Sequence, residues 1–165
     1  MDLYILRHGK AGEAGHGMPD AERRLTRKGR AEIEGVARWM AEQEITFDAV
    51  AASPLLRAAE TAAIIAETPG LAENPETWEE LVPGGNPDDL CRTIDRYSDR
   101  DAVLIVGHEP LLSSLIGRII GGSEGAAVVM GKGSLAKIRN FSFASRPSGE
   151  LHWLLTAKQM AGRGE

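Results

Sequence analysis

The sequence predicts a single-domain, three-layer α/β/α fold with a mostly parallel mixed sheet and an antiparallel edge. Three observations carry that expectation. Short apolar runs alternate with amphipathic stretches along most of the chain, the order that a parallel sheet covered by helices on both faces requires. The last two apolar runs, 134–143 and 150–155, are joined only by Arg146-Pro147-Ser148-Gly149, which reads as a hairpin. With 165 residues, 42% hydrophobic and 26% charged, the chain suits one domain with a full core and is short for two.

The first element is a strand over 2–7, an apolar run that breaks onto Arg7-His8-Gly9. A polar, Gly-rich loop follows at 11–22. Thr26 can cap a helix over 27–43, in which Ile33, Val36, Ala37 and Met40 recur at helical spacing. Residues 47–52 read as a second strand that stops at Ser53-Pro54. A helix rich in alanine and leucine then spans 55–67 and closes at Pro69-Gly70. After the turn-rich stretch 82–87, a helix is expected over 88–97. Ala102-Val103-Leu104-Ile105-Val106 is the clearest strand and runs onto Gly107-His108-Glu109-Pro110. Leu111, Leu112, Leu115, Ile116, Ile119 and Ile120 form an apolar helical stripe behind it. There is no internal repeat and no interdomain linker, so 1–165 is taken as one domain.

Composition narrows the function. A formal net charge of −5 argues against a nucleic-acid partner held by a broad basic surface, yet leaves room for small anions held by a few buried arginines. The opening Met1-Asp2-Leu3-Tyr4 has no basic region and no long apolar stretch, so a signal peptide is not expected, and no window is apolar enough to span a bilayer. Cys91 is the one cysteine, which excludes an intrachain disulfide and fits a reducing cytoplasm. The expectation is a cytoplasmic domain with neither membrane nor nucleic-acid partner.

Three strands end in chemically capable residues. The first ends at Arg7-His8-Gly9, the second at Ser53-Pro54 with Arg57 one turn into the next helix, and the strand at 102–106 at Gly107-His108-Glu109. If these strands are parallel neighbours, two arginines and two histidines meet at one edge of the sheet, where open α/β sheets bind ligands. Such a set suits a phosphoryl group. Arginine forks hold phosphate oxygens, a neutral imidazole can attack phosphorus, and the second histidine can stabilise charge on the equatorial oxygens.

Arg7-His8-Gly9, Ser53-Pro-Leu-Leu-Arg57-Ala-Ala-Glu-Thr61 and Val106-Gly-His108-Glu-Pro110 resemble the motifs of the histidine phosphatase (phosphoglycerate mutase-like) superfamily. The short length and Arg23-Arg-Leu-Thr26…Gly29 are most similar to its SixA-type phosphohistidine phosphatase branch. The resemblance covers nearly the whole chain. It implies a phosphoglycerate mutase-like fold and a histidine phosphatase domain over 1–165, with no cofactor and no metal. His8 would be the nucleophile, forming a phosphohistidine. Arg7, Arg57 and His108 would make the phosphate pocket, with Gly9 alongside and Arg23 as a further arginine that touches substrate. A carboxylate between the second and third motifs would donate a proton, and Glu80 holds that position with Glu79 beside it. The implied substrate is phosphohistidine on a protein. The alternatives are a phosphatase of small phosphate esters or phosphoamides using the same site, and a non-catalytic module that binds a phospho-ligand or phosphoprotein. Both histidines speak against the last, since binding needs only the arginines.

Taken singly, these residues have plainer explanations. Glu80 would be a solvated loop carboxylate, and Arg23, Arg24, Arg27 and Lys28 a solvated basic face. His16, in a Gly-rich loop, and His152, in a strand, read as structural, and Trp39 and Trp153 as core or half-buried. Trp78 reads as a residue at the rim of the site. Other motifs fail on inspection. His108-Glu109 opens like a zinc-protease helix, but Leu112 stands where the second histidine must be. Gly131-Lys132-Gly133 precedes a strand instead of following one, so it reads as a turn and not a dinucleotide loop.

Overall fold

A computed structural model describes residues 1–122 and 127–162 of the chain. Six strands form one sheet: β1 (Asp2–Arg7), β2 (Ala49–Ala52), β3 (Glu76–Thr77), β4 (Ala102–Gly107), β5 (Leu135–Phe143) and β6 (Pro147–Leu155). Their spatial order is β3-β2-β4-β1-β5-β6. The first four run parallel, whereas β5 is antiparallel to β1 and β6 is antiparallel to β5. The fold is therefore the mixed α/β architecture that the alternation of the sequence calls for.

Among the described residues, five helices cover the sheet: α1 (Arg27–Glu42), α2 (Leu56–Glu67), α3 (Pro87–Asp95), α4 (Leu111–Gly121) and α5 (Ala157–Met160). Side chains alternate across a strand, and the two faces of β1 show it. Leu3 and Ile5 pack into one core with Leu90 and Ile94 of α3 and Leu112, Leu115 and Ile116 of α4. Tyr4 and Leu6 pack into the other with Ile33, Val36 and Met40 of α1 and Ala58, Ala62 and Ile65 of α2. The sheet is thus a buried layer between two helical layers.

Local chemistry explains several element ends. Thr26 accepts a hydrogen bond from the Gly29 N–H at 2.9 Å, the cap that starts α1. Asn86 caps α3 in the same way, with Pro87 in its first turn. α4 ends where Gly122 takes a left-handed conformation, φ 64°.

Several expected boundaries move. Phe47 and Asp48 lie outside β2: the Phe47 N–H donates to Leu71 O at 2.8 Å, away from the sheet partner, and the Asp48 carboxylate accepts from the N–H groups of Asp101 and Ala102. The hairpin turns at Ala144-Ser145-Arg146, while Pro147 and Gly149 lie inside β6. Proline is tolerated there as the first residue of an edge strand, where no ladder donor is lost. Neither β3, two residues long, nor α5, four residues long, carries enough periodicity to be read from sequence. Trp78 is not at a site rim: it is 5% exposed, packs on Tyr97 and donates its indole N–H to Glu76. Trp39 and Trp153 are half-buried and meet edge to face.

Candidate active site

The parallel order of β1, β4 and β2 places the three motif ends side by side. Ladder bonds continue one residue past the strands: the His8 N–H donates to Gly107 O at 3.1 Å and the Ser53 N–H to Val106 O at 3.0 Å. His8, His108 and Ser53 therefore project from adjacent carboxyl ends of the sheet. Arg57 joins them from the first turn of α2, with only 5% of its surface exposed.

His8 and His108 are both buried, and their ring centroids lie 4.9 Å apart with the rings tilted by 53°. His8 Nδ1 lies 2.7 Å from Gly9 O. A carbonyl only accepts, so Nδ1 carries the proton and Nε2 keeps its lone pair free for chemistry. Burial, followed by the charges of Arg57, Arg7 and Lys132, lowers the His8 pKa to about 4 against the contrary pull of that carbonyl. His108 is lowered to about 3, by burial first and then by His8 and Arg57. At neutral pH both imidazoles are uncharged, and the cationic charge of the pocket rests on the arginines.

The arginines are held by backbone. Arg7 Nη1 donates to Met130 O at 2.9 Å, while its Nε is buried without a partner. Arg57 Nη1 donates to Asp20 O at 2.9 Å and its Nη2 to the Asp20 carboxylate at 3.0 Å. Asp20 also pairs with Arg23, whose Nε donates to Gly12 O at 2.7 Å. Those two guanidinium groups hold the Asp20 carboxyl below the usual range. Arg23 thus stands one ion pair away from Arg57, on the outer side of a 3-10 turn at Asp20–Glu22.

Gly9 serves the frame of the site. Its N–H donates to Thr61 Oγ1 at 3.2 Å, and Thr61 in turn donates to Arg57 O at 2.7 Å. A Cβ on Gly9 would stand 2.7 Å from Ile33 of α1, so glycine is required by the approach of that helix. Glu80 is tied elsewhere: its carboxylate accepts from the Thr93 hydroxyl of α3 at 2.9 Å, and Glu79 is exposed. The hydrogen bonds of the described residues link neither of them to His8, Arg7, Arg57 or His108. Among the described residues, no three His, Cys, Asp or Glu side chains cluster as a metal ion would need.

Three contributors escaped the sequence reading. Ser53 and Thr61 lie inside the Ser53–Thr61 segment but had no role assigned, because the partners that tie them to the site, His108 and Gly9, are distant in the chain. Asp20 carried one usable signal, its i,i+3 spacing from Arg23.

Comparison with known proteins agrees with this geometry. The family model of the histidine phosphatase superfamily (branch 1) matches residues 3–82. An uncharacterized protein of Picosynechococcus is 32% identical over 142 residues, covering 85% of this chain and 86% of its own length. The phosphohistidine phosphatase SixA of Escherichia coli strain K12 is 29% identical over 124 residues, covering 74% of this chain and 76% of its own length. Among solved structures, the protein histidine phosphatase SixA complexed with tungstate superposes with a TM-score of 0.85 at 23% identity, covering 97% of this chain and 99% of that one.

Proposed function

Because this chain belongs to the histidine phosphatase superfamily, we propose that it hydrolyses phosphohistidine on a protein, without a metal, through a covalent phosphohistidine at His8. The observation that carries this reading is the His8 tautomer. With Nδ1–H held on Gly9 O and the ring neutral, Nε2 is a bare nucleophile beside Arg7, Arg57 and His108.

The reaction runs in two displacements. The His8 Nε2 lone pair attacks phosphorus and the bond from phosphorus to the departing imidazole breaks. Arg7, Arg57 and His108 stabilise the equatorial oxygens. Water then attacks the phosphorus on His8. The P–Nε2 bond breaks, its electron pair returns to Nε2, and the water proton leaves with phosphate or solvent. An imidazole leaving group can carry its own proton, so the first displacement needs little general acid, whereas an alkyl ester needs one. The tie between Glu80 and Thr93 therefore fits phosphohistidine better than an ester. The similarity to the E. coli phosphohistidine phosphatase supports the same choice. An open groove of about 540 Å³ runs past Arg23 and Leu56, lined also by Glu13 and Glu22 and by none of His8, Arg7, Arg57 or His108. The physiological setting that follows is dephosphorylation of a signalling phosphoprotein in the reducing cytoplasm.

The deciding experiment compares a phosphohistidine protein, p-nitrophenyl phosphate and sugar phosphates on wild type and His8→Ala, each with and without EDTA. We expect preference for phosphohistidine, loss of turnover in His8→Ala and indifference to EDTA. Preference for a small ester would overturn the substrate and return Glu80 or Glu79 to the mechanism. Wild-type turnover in His8→Ala would remove His8 as nucleophile, and binding without turnover in wild type would leave a phospho-binding module. Inhibition by EDTA with rescue by a metal would overturn the metal-free course.

A further inference from the structure

We propose that Ser53 is a positioning residue that selects the Nδ1–H tautomer of His108, so that His108 meets the phosphoryl group as a neutral hydrogen-bond donor at Nδ1. The inference rests on the reading of this pocket as a phosphoryl site. It starts from one short contact: Ser53 Oγ lies 2.8 Å from His108 Nε2, with Ser53 1% and His108 2% exposed.

Counting protons decides the direction of that bond. A serine hydroxyl has one hydrogen and two lone pairs. One lone pair of Ser53 is taken by the Leu55 N–H, 3.2 Å away. The hydrogen has one acceptor among the hydrogen bonds of the described residues, His108 Nε2. If Ser53 donates there, the neutral ring must carry its proton on Nδ1. The reverse arrangement, with Nε2–H donating to Ser53, strands the serine hydrogen in a buried site and leaves a bare Nδ1 lone pair as well. Two buried polar groups would then be unsatisfied in place of one, and each costs about 1–3 kcal/mol.

The remaining unsatisfied group has a use. Among the described residues, the buried side-chain polar atoms without a partner are Arg7 Nε and His108 Nδ1. Both belong to the cluster around His8, and both are donors under this assignment. An anionic phosphoryl group supplies the acceptors that they lack. A bare Nδ1 lone pair would instead repel the phosphoryl oxygens. Neutrality of the ring at working pH follows from its burial beside Arg57 and Arg7. The hydroxyl of Ser53 is thereby the device that turns His108 from an acceptor into a donor.

Nitrogen-15 NMR of histidine-labelled wild type, read at neutral pH without and with inorganic phosphate, tests the tautomer independently of activity. We expect His108 as the Nδ1–H tautomer, with its Nδ1 resonance moving as phosphate binds. In Ser53→Ala we expect loss of the single tautomer and a fall in kcat for p-nitrophenyl phosphate of about 10-fold to 10²-fold, with KM changed much less, the pattern of an interaction made in the transition state. An Nε2–H tautomer in wild type, or a Ser53→Ala protein with unchanged tautomer and kcat, would overturn the proposal. Should Ser53→Ala fail to fold, the wild-type spectrum still decides. An Nδ1–H tautomer in a protein without phosphatase turnover would uphold the Ser53 role and overturn the phosphatase reading instead.

Discussion

Two histidines 4.9 Å apart, ring to ring, beside two guanidinium groups cannot both be charged at small cost. The residue scale resolves this by keeping both rings neutral, and the chemistry follows from that. The proposed attack by His8 needs Nε2 unprotonated, and its pKa is lowered to about 4 from the usual 6.5. The sign is then clear. As pH falls, activity should persist through pH 6.5 and drop only where His8 takes up a proton, near pH 4. The check is kcat/KM against pH for the free enzyme, with the titration of the substrate phosphate subtracted. An acid limb at pH 6–7 assigned to His8 by NMR would contradict the buried, carbonyl-anchored ring.

At the scale of elements, the site depends on how closely α1 approaches the loop after β1. Gly29 sits in the first turn of α1, and a Cβ there would stand 2.1 Å from Lys10 O. That atom is backbone and cannot swing aside. On the other side of the same contact, Gly9 leaves room for Ile33. The pair lets the helix clamp the peptide that orients His8, while Thr61 of α2 fixes it from the second side. Gly29→Ala should therefore lose stability by about 1–3 kcal/mol, more than the gain in helix propensity returns, and should lower kcat by moving Gly9 and His8. Denaturant unfolding and steady-state kinetics measure both. A variant as stable and active as wild type would show that the clamp is not needed.

At the scale of the whole molecule, the sheet buries two histidines at its carboxyl edge, and stability carries the cost. His8 and His108 have folded-state pKa values near 4 and 3, below the value of about 6.5 in an unfolded chain. The unfolded chain therefore binds protons first as pH falls. Stability should decline from pH 6.5 down to about pH 4, and the contribution of these two groups should level off only below their folded values. Thermal unfolding from pH 7.5 to 4 should show Tm falling with pH, and His8→Ala should make the decline shallower. An equal slope in the variant would mean that other groups dominate. None of the helices among the described residues is long and apolar enough to cross a membrane.

Much of this protein was legible from order alone. The alternation of apolar runs and amphipathic stretches determined a mixed sheet between two helical layers, because side-chain period follows backbone geometry. The placement of Arg7-His8, Arg57 and His108 just past strand ends determined that they would meet if the strands were parallel neighbours. The tertiary structure decided what no local pattern encodes. It brought β4 between β1 and β2, and so set His108 against Ser53. It gave Arg57 to Asp20 and turned Glu80 toward Thr93. It showed that Gly9 yields space to a helix. Hydroxyls, carbonyls and carboxylates find such partners across 13 to 123 residues of chain. Periodicity reports which face a residue occupies, and only the packed fold fixes which group stands opposite.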